Sequence, residues 1–173
     1  MQIIPLVLIS ISSFIYSQNR TTAPLPELKA SIILRIIELE RNISELDRGL
    51  TIYVLSAPNL AKALKKLEGK SVGETTLAEV SSGDELPAAR PDVLFVGTSR
   101  KLNEVKAYTR KNRVLSITDR ADVFQRGVSV SILTENRRPK ISLNPSASME
   151  EGLEWQLDFR LFRSLVLEFS KMD

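Results

Sequence analysis

LTIYVLSAPNLAKALKKLEGK, residues 50–70, decides the fold. Its first six residues, Leu50–Leu55, are a nearly continuous β-favouring run of strand length, as expected for a strand buried on both faces. Ser56, Ala57, Pro58 and Asn59 then turn the chain. From Leu60 to Glu68 the apolar Leu60, Ala63, Leu64 and Leu67 share one helical face, and Lys62, Lys65 and Lys66 point away from it. Gly69 stands where helices stop.

The same alternation of strand and helix continues outward from this stretch. Thr75–Val80 reads as a strand, and Gly83–Leu86 as a weak helical turn ahead of Pro91. Asp92–Val96 (DVLFV) is the clearest strand, and Lys101–Arg110 (KLNEVKAYTR) places Leu102, Val105 and Tyr108 on one helical face. Val114–Ile117 is the next strand, with one helical turn at Ala121–Gln125. Val128–Leu133 and Lys140–Leu143, separated by TENRRP, form an antiparallel hairpin. Upstream, Pro26 fits a first helical position, and Leu28, Ile32, Ile36 and Leu39 recur at helical spacing. Ile33, Leu34 and Ile37 widen that apolar arc, so this first helix is expected to be covered on more than one side. A long helix from about Ser148 to Lys171 closes the chain. The pattern predicts an α/β fold: a three-layer sandwich with a mostly parallel central sheet and a C-terminal antiparallel hairpin followed by a long helix.

Composition narrows the chemistry. The 173 residues are 43% hydrophobic and 26% charged, with 24 Lys and Arg against 21 Asp and Glu, a net charge of +3. That balance is interleaved along the chain and calls for no nucleic-acid partner. Histidine and cysteine are both absent. The usual zinc ligands, Ser-His and Cys-His nucleophile systems and thiol–disulfide chemistry are thereby excluded. Oxygen-ligand cations and carboxylate acid–base work remain open. Asp119, Asp122, Glu135, Glu150 and Glu151 match neither a calcium loop nor an enforced acid–base pair. No enzyme, cofactor or metal is expected.

At the N-terminus, Ile3–Tyr16 is an uncharged run too short for a membrane span, which needs about 20 residues. It reads as the core of a signal peptide over residues 1–17, with a membrane anchor or buried first element as the alternative. Residues 18–25 then form a flexible mature terminus, and 26–173 a single domain.

Two sets of site residues stand out. Thr98, Ser99 and Arg100 follow a strand and open a helix, where a plain cap or an anion loop fits equally in kind, the cap being the simpler. The basic residues Arg100, Lys101, Lys106, Arg110, Lys111 and Arg113 read as a solvated helix face, and Arg137, Arg138 and Lys140 as a solvated turn. On the terminal segment Trp155, Phe159, Phe162, Val166 and Phe169 form one helical stripe and Leu153, Leu157, Leu161 and Leu165 a second. Gln156, Arg160 and Arg163 make the polar sector. Either the helix lies deep in the core, or one stripe meets a partner or a second copy, with Trp155, Phe159 and Phe162 as anchors and Arg160 and Arg163 as rim.

From Leu50 onward the sequence resembles the YfiR-like family of periplasmic proteins. The resemblance rests on Lys29-Ala30 in the first helix, on residues 50–70, on DVLFVGTS (92–99) and on VLSITDRADVFQRG (114–127). It extends through ILTENRRPKISLNPSASMEEGLEWQLDFRLFRS (132–164), with Asn144, Gly152 and Leu153 at the family's positions. The first helix departs from it, reading SIILRIIELERNI where the family carries aromatics ending in Trp-Pro, and the cysteine pairs of some members are absent. The resemblance implies a periplasmic repressor of a membrane-bound diguanylate cyclase in cyclic di-GMP signalling, often a homodimer. It also implies members that serve a histidine kinase, a sensor kinase of the membrane, or an outer-membrane receptor; the alternative is thus a small-ligand sensor module of that kind, its crevice at the strand carboxyl ends near Gly97–Arg100 and Asp119.

Overall fold

A computed structural model describes residues 25–97, 101–135 and 138–156. Helix α1 (Leu25–Ile37) and the one-turn α2 (Arg41–Ser44) precede β1 (Leu50–Leu55), α3 (Pro58–Lys65), β2 (Ser71–Val72) and β3 (Thr75–Gly83). There follow β4 (Val93–Val96), α4 (Leu102–Asn112), β5 (Leu115–Thr118), α5 (Ala121–Gln125), β6 (Val130–Glu135), β7 (Arg138–Leu143) and α6 (Pro145–Glu150). Among the described residues the strands form one sheet in the order β2-β3-β1-β4-β5-β6-β7. Every pair from β3 across to β6 is parallel; β2 and β7 add antiparallel edges. The chain is therefore a mixed α/β fold with a mostly parallel sheet, as its alternating pattern predicts.

The central strands are dry on both faces because successive side chains point to opposite sides of a sheet. In β4, Val93 and Phe95 enter the larger apolar cluster, together with Ile33 and Ile37 of α1 and Leu64 of α3. Leu94 and Val96 enter the smaller one, with Leu102 and Val105 of α4 and Val123 of α5. The broad apolar arc of α1 is used in full, since Ile32, Ile33, Leu34, Ile36 and Ile37 are all buried. An ion pair of 2.5 Å from Lys29 to Asp119 ties α1 to the end of β5.

The structure also differs from the sequence reading. No helical turn forms at Gly83–Leu86; β3 runs on to Gly83, pairing with Leu55 of β1. The two-residue β2 is an unforeseen edge. At the end of the described chain a helix begins at Pro145, with the Asn144 side chain accepting the Ala147 N–H, and ends at Glu150, while the anticipated long helix beyond residue 156 lies outside the described residues. Gly152 adopts φ +69°, its N–H bonds Met149 O, and the Leu153 N–H bonds Ser148 O. These two bonds are the Schellman closure that ends a helix at a left-handed residue. Leu153 and Trp155 consequently do not lie on a helix begun at Ser148. Among the described residues no helix is long and apolar enough to cross a membrane.

At the amino end of the sheet the buried Asp92 carboxylate joins β4 to β1. It accepts two hydrogen bonds from the Arg48 guanidinium, at 2.9 and 2.5 Å, and two from the N–H and hydroxyl of Thr51. Burial alone would raise this carboxyl, but the bonds from Arg48 and Thr51 outweigh it and hold the group below its ordinary range. Its contribution to stability is then complete above the unfolded value of about 3.9 and is lost as pH falls through the depressed folded value. Asp92→Asn should lower stability near neutrality by roughly 1–2 kcal/mol, allowing for the half-exposed Arg48, and should flatten the acid limb of a urea-melt pH profile.

Candidate functional site

The chain leaves β1 through α3 toward one edge of the sheet, and from β3 it crosses back to β4 on the other side of β1. The carboxyl ends of β1 and β4 thus form the point where the winding reverses, the place in open α/β sheets where the chain leaves a crevice. Three local features shape it. Ser56, just past β1, has φ +53°, a conformation that side-chain-bearing residues adopt at a cost. Its N–H bonds Gly83 O at 2.8 Å and its hydroxyl bonds Asp84 at 2.9 Å, so the end of β3 holds the turn in place. The Gly97 N–H bonds Leu55 O at 2.9 Å, drawing the end of β4 so close that a β-carbon on Gly97 would lie 2.6 Å from Ser56 O.

In front of these turns lies a half-open cleft of about 600 Å³. Leu55, Leu86, Val105 and Val123 form its apolar wall, and Asp84, Glu85, Lys101, Glu104, Arg120 and Asp122 its charged rim. The rim charges are mutually engaged: Lys101 pairs with Glu85 at 3.5 Å, and the Arg120 guanidinium grips Asp122 through two bonds of 3.0 and 3.1 Å. Hydrogen bonding from Arg120 lowers the Asp122 carboxyl. Thr98, Ser99 and Arg100, the anticipated cap or anion loop, lie outside the described residues.

The carboxylates singled out from sequence do not converge. Asp119 faces Lys29, Asp122 faces Arg120, Glu135 faces Lys140 across the hairpin at 2.8 Å, and Glu150 faces Arg110. Among the described residues no group of three or more acidic, His or Cys side chains is placed to hold a metal. The basic face of α4 is divided in the same way, Lys101 and Arg110 being in ion pairs while Lys111 and Arg113 are exposed.

Of the anticipated partner contacts, Trp155 is described and Phe159, Arg160, Phe162 and Arg163 lie outside the described residues. Trp155 sits in an extended seam, where it forms an antiparallel bridge with Glu40. The Arg41 N–H bonds Glu154 O at 2.8 Å, and the Gln156 N–H bonds Leu39 O at 2.7 Å. Half-buried, the indole packs against the larger apolar cluster, and its buried Nε1 meets no acceptor among the described residues. Two carboxyl groups hold this seam: Glu40, which sequence reasoning passed over, and Glu151, which it weighed only as a calcium or acid–base candidate. Glu40, fully buried, caps α2 by accepting the Ile43 N–H at 2.8 Å and accepts the Glu154 N–H at 2.7 Å through its other oxygen. Glu151, also buried, accepts the Ser116 N–H at 3.0 Å and the hydroxyls of Ser116 and Ser129, each at 2.6 Å. The sequence holds no signal for either role, because their partners lie 114 and 35 residues away in the chain.

The sequence profile of the YfiR/HmsC-like family matches residues 26–159, and the chain belongs to that family. A comparison with curated proteins gave no match. Asn144 and Gly152, on which the sequence resemblance partly rests, cap α6 at its start and follow its C-cap in left-handed conformation, so those parts of it are structural.

At Gly97, beside the cleft, the close approach of the β1 turn leaves no room for a side chain. Gly97→Ala would press a methyl against Ser56 O, against Leu55 O at 3.0 Å and against the Ala57 β-carbon at 2.9 Å. A destabilisation of about 1–3 kcal/mol is expected in a denaturant melt, as for other overpacked positions.

Proposed function

We propose that this chain is a non-catalytic periplasmic regulatory protein that binds and represses a membrane-bound signalling enzyme, a diguanylate cyclase of cyclic di-GMP signalling. In this reading residues 1–17 are a signal peptide, 18–25 a flexible mature terminus and 26–173 a three-layer α/β domain that works as a homodimer. The observation that carries it is the family match over residues 26–159. Two further facts agree with it. The absence of histidine and cysteine removes the commonest catalytic and metal chemistries. The carboxylates that remain near loops are engaged in ion pairs or buried.

Trp155, Phe159 and Phe162 are the proposed partner anchors, with Arg160 and Arg163 at the rim, since aromatic and arginine side chains dominate interface energetics. The placement of Trp155 sharpens how they divide. Trp155 packs against the domain's own core, so its removal weakens the fold as well as any contact. In this reading, truncation of Phe159 or Phe162 in a variant that still folds is the test of binding.

A second reading, a sensor module for a small ligand that works with a histidine kinase or an outer-membrane receptor, is favoured by the cleft of about 600 Å³ at the winding reversal. Thr98, Ser99 and Arg100 would be its anion loop. A thermal-shift screen reads it directly, because a ligand bound only by the folded state raises apparent stability.

The experiment is crosslinking of the protein in the periplasm at native level, with captured chains identified by mass spectrometry. Recovery of a membrane diguanylate cyclase, lost in a folded Phe159→Ala variant, is the expected result, with binding weakened by about 2 kcal/mol or more. Self-crosslinks alone, or a cyclase captured equally well by Phe159→Ala and Phe162→Ala, would overturn it.

A further inference from the structure

An edge strand carries a row of backbone N–H and C=O groups that its own sheet leaves unanswered. One edge of this sheet is closed by the chain itself. Along β3, the short β2 pairs with Thr75 and Thr76, the Leu77 N–H bonds Lys70 O at 2.9 Å, and the Val80 N–H bonds the Glu68 carboxylate at 2.8 Å. The other edge is β7, and among the described residues no strand lies beyond it.

Which groups of β7 face outward follows from its pairing with β6. In an antiparallel pair, opposed residues alternate between those that exchange hydrogen bonds and those whose N–H and C=O point away from the partner strand. The Asn144 N–H bonds Ser129 O at 2.8 Å, so that pair is an exchanging one; in the same phase, so are Ser131 with Ser142 and Leu133 with Lys140. Pro139, Ile141 and Leu143 therefore turn their backbone outward. Pro139 has no N–H to offer, and Pro145, next in the same phase, has none either. The open donors are those of Ile141 and Leu143, in a window bracketed by prolines. Both side chains are partly buried against the larger apolar cluster on one face of the sheet. Lys140, the kind of charge that deters edge pairing, is engaged with Glu135 at 2.8 Å.

We propose that β7 is a docking edge for a second copy of this chain, the two β7 strands pairing antiparallel about a two-fold axis at Ser142. The pairing presupposes the homodimer proposed above and gives it an interface. The window complements itself. With Ile141 opposite the partner's Leu143, the two residues exchange both backbone bonds and the two-fold axis repeats the exchange, so every open N–H of the window finds a C=O. Ile141 and Leu143 of both copies then lie side by side on one face and prolong the apolar surface across the axis. Lys140 falls opposite the partner's Asn144, which keeps the two lysines about 13 Å apart along the strands, beyond the Debye length of about 8 Å at physiological salt. A shift of two residues would set Pro139, with no N–H to return, opposite Leu143, and would halve that separation. Because the ladder is short, the interface is small and the dimer reversible and concentration-dependent.

With no cysteine in the chain, an introduced thiol can pair only with its own copy. In this register Ser142 faces the partner's Ser142 as a pair outside the new hydrogen bonds, with Cα atoms about 4.5 Å apart, within reach of a disulfide. In the full chain, Ser142→Cys should form disulfide-linked dimers under mild oxidation at least about tenfold faster than Lys140→Cys, whose thiols start too far apart. Sedimentation of the natural protein should show a monomer–dimer equilibrium, weakened in Ser142→Lys and in Ser142→Asp and regained when those two variants are mixed. Equal crosslinking at 140 and 142, or a dimer indifferent to Ser142→Lys, would overturn the edge pairing while leaving a homodimer held elsewhere. A monomer at every concentration would overturn both, whether the edge is bare or covered by residues 157–173. Neither result touches capture of the cyclase, which tests the regulatory reading separately.

Discussion

A four-residue strand that must stay dry on both faces governs this molecule. Val93–Val96 is flanked by β1 and β5 through parallel pairing, and all four of its side chains are buried. Parallel neighbours cannot be joined by tight turns, so each link has to travel over a face of the sheet and cover it. In this chain α3 serves the larger cluster, and α4 and α5 the smaller. The winding reversal beside β4 follows from the same requirement, because covering both faces obliges the chain to change direction once. The cleft at the carboxyl ends of β1 and β4 is thus a product of the way the core is closed.

The buried carboxylates show how differently one kind of group is accommodated. Asp92 has the Arg48 guanidinium and two bonds from Thr51, a set that stabilises the ionised form strongly enough to overcome its burial. Glu40 and Glu151 have only backbone N–H and hydroxyl donors, and in them burial prevails. Position matches chemistry. The ion pair ties together the entrances of β1 and β4, whereas Glu40 and Glu151, which meet no cation among the described residues, hold the stretch that follows α6.

Much of this was legible in the sequence, and the failures have physical causes. Leu50–Leu55 and Ala121–Gln125 were read with the bounds the structure gives them, because a continuous β-favouring run and an isolated turn between strands leave little else to form. The two-residue β2 is too short to leave a periodic signature, and the extension of β3 to Gly83 is fixed by pairing with β1. At Gly152 the signal was present: a glycine within a helical pattern, met as a family position when it is a stop. The stripe that begins at Trp155 is real as spacing, but Trp155 itself lies in extended backbone bridged to Glu40, and the later members lie outside the described residues. The cleft was half legible. Gly97 marked a strand end, yet its role depends on Ser56 and Gly83, brought together by a crossover that no local pattern records.

The way the chain leaves the domain follows from its local closures. Asn144 and Gly152 set where α6 begins and ends, and so where the following stretch leaves the domain. They fix the exit and leave the surface chemistry beyond it free. That exit is fastened by Glu40, the N-cap of α2, whose carboxylate accepts the Glu154 N–H. The stretch beyond α6 is thereby held to the body of the domain through a backbone N–H bonded to a buried carboxyl, with Trp155 half-covered by the core it leaves.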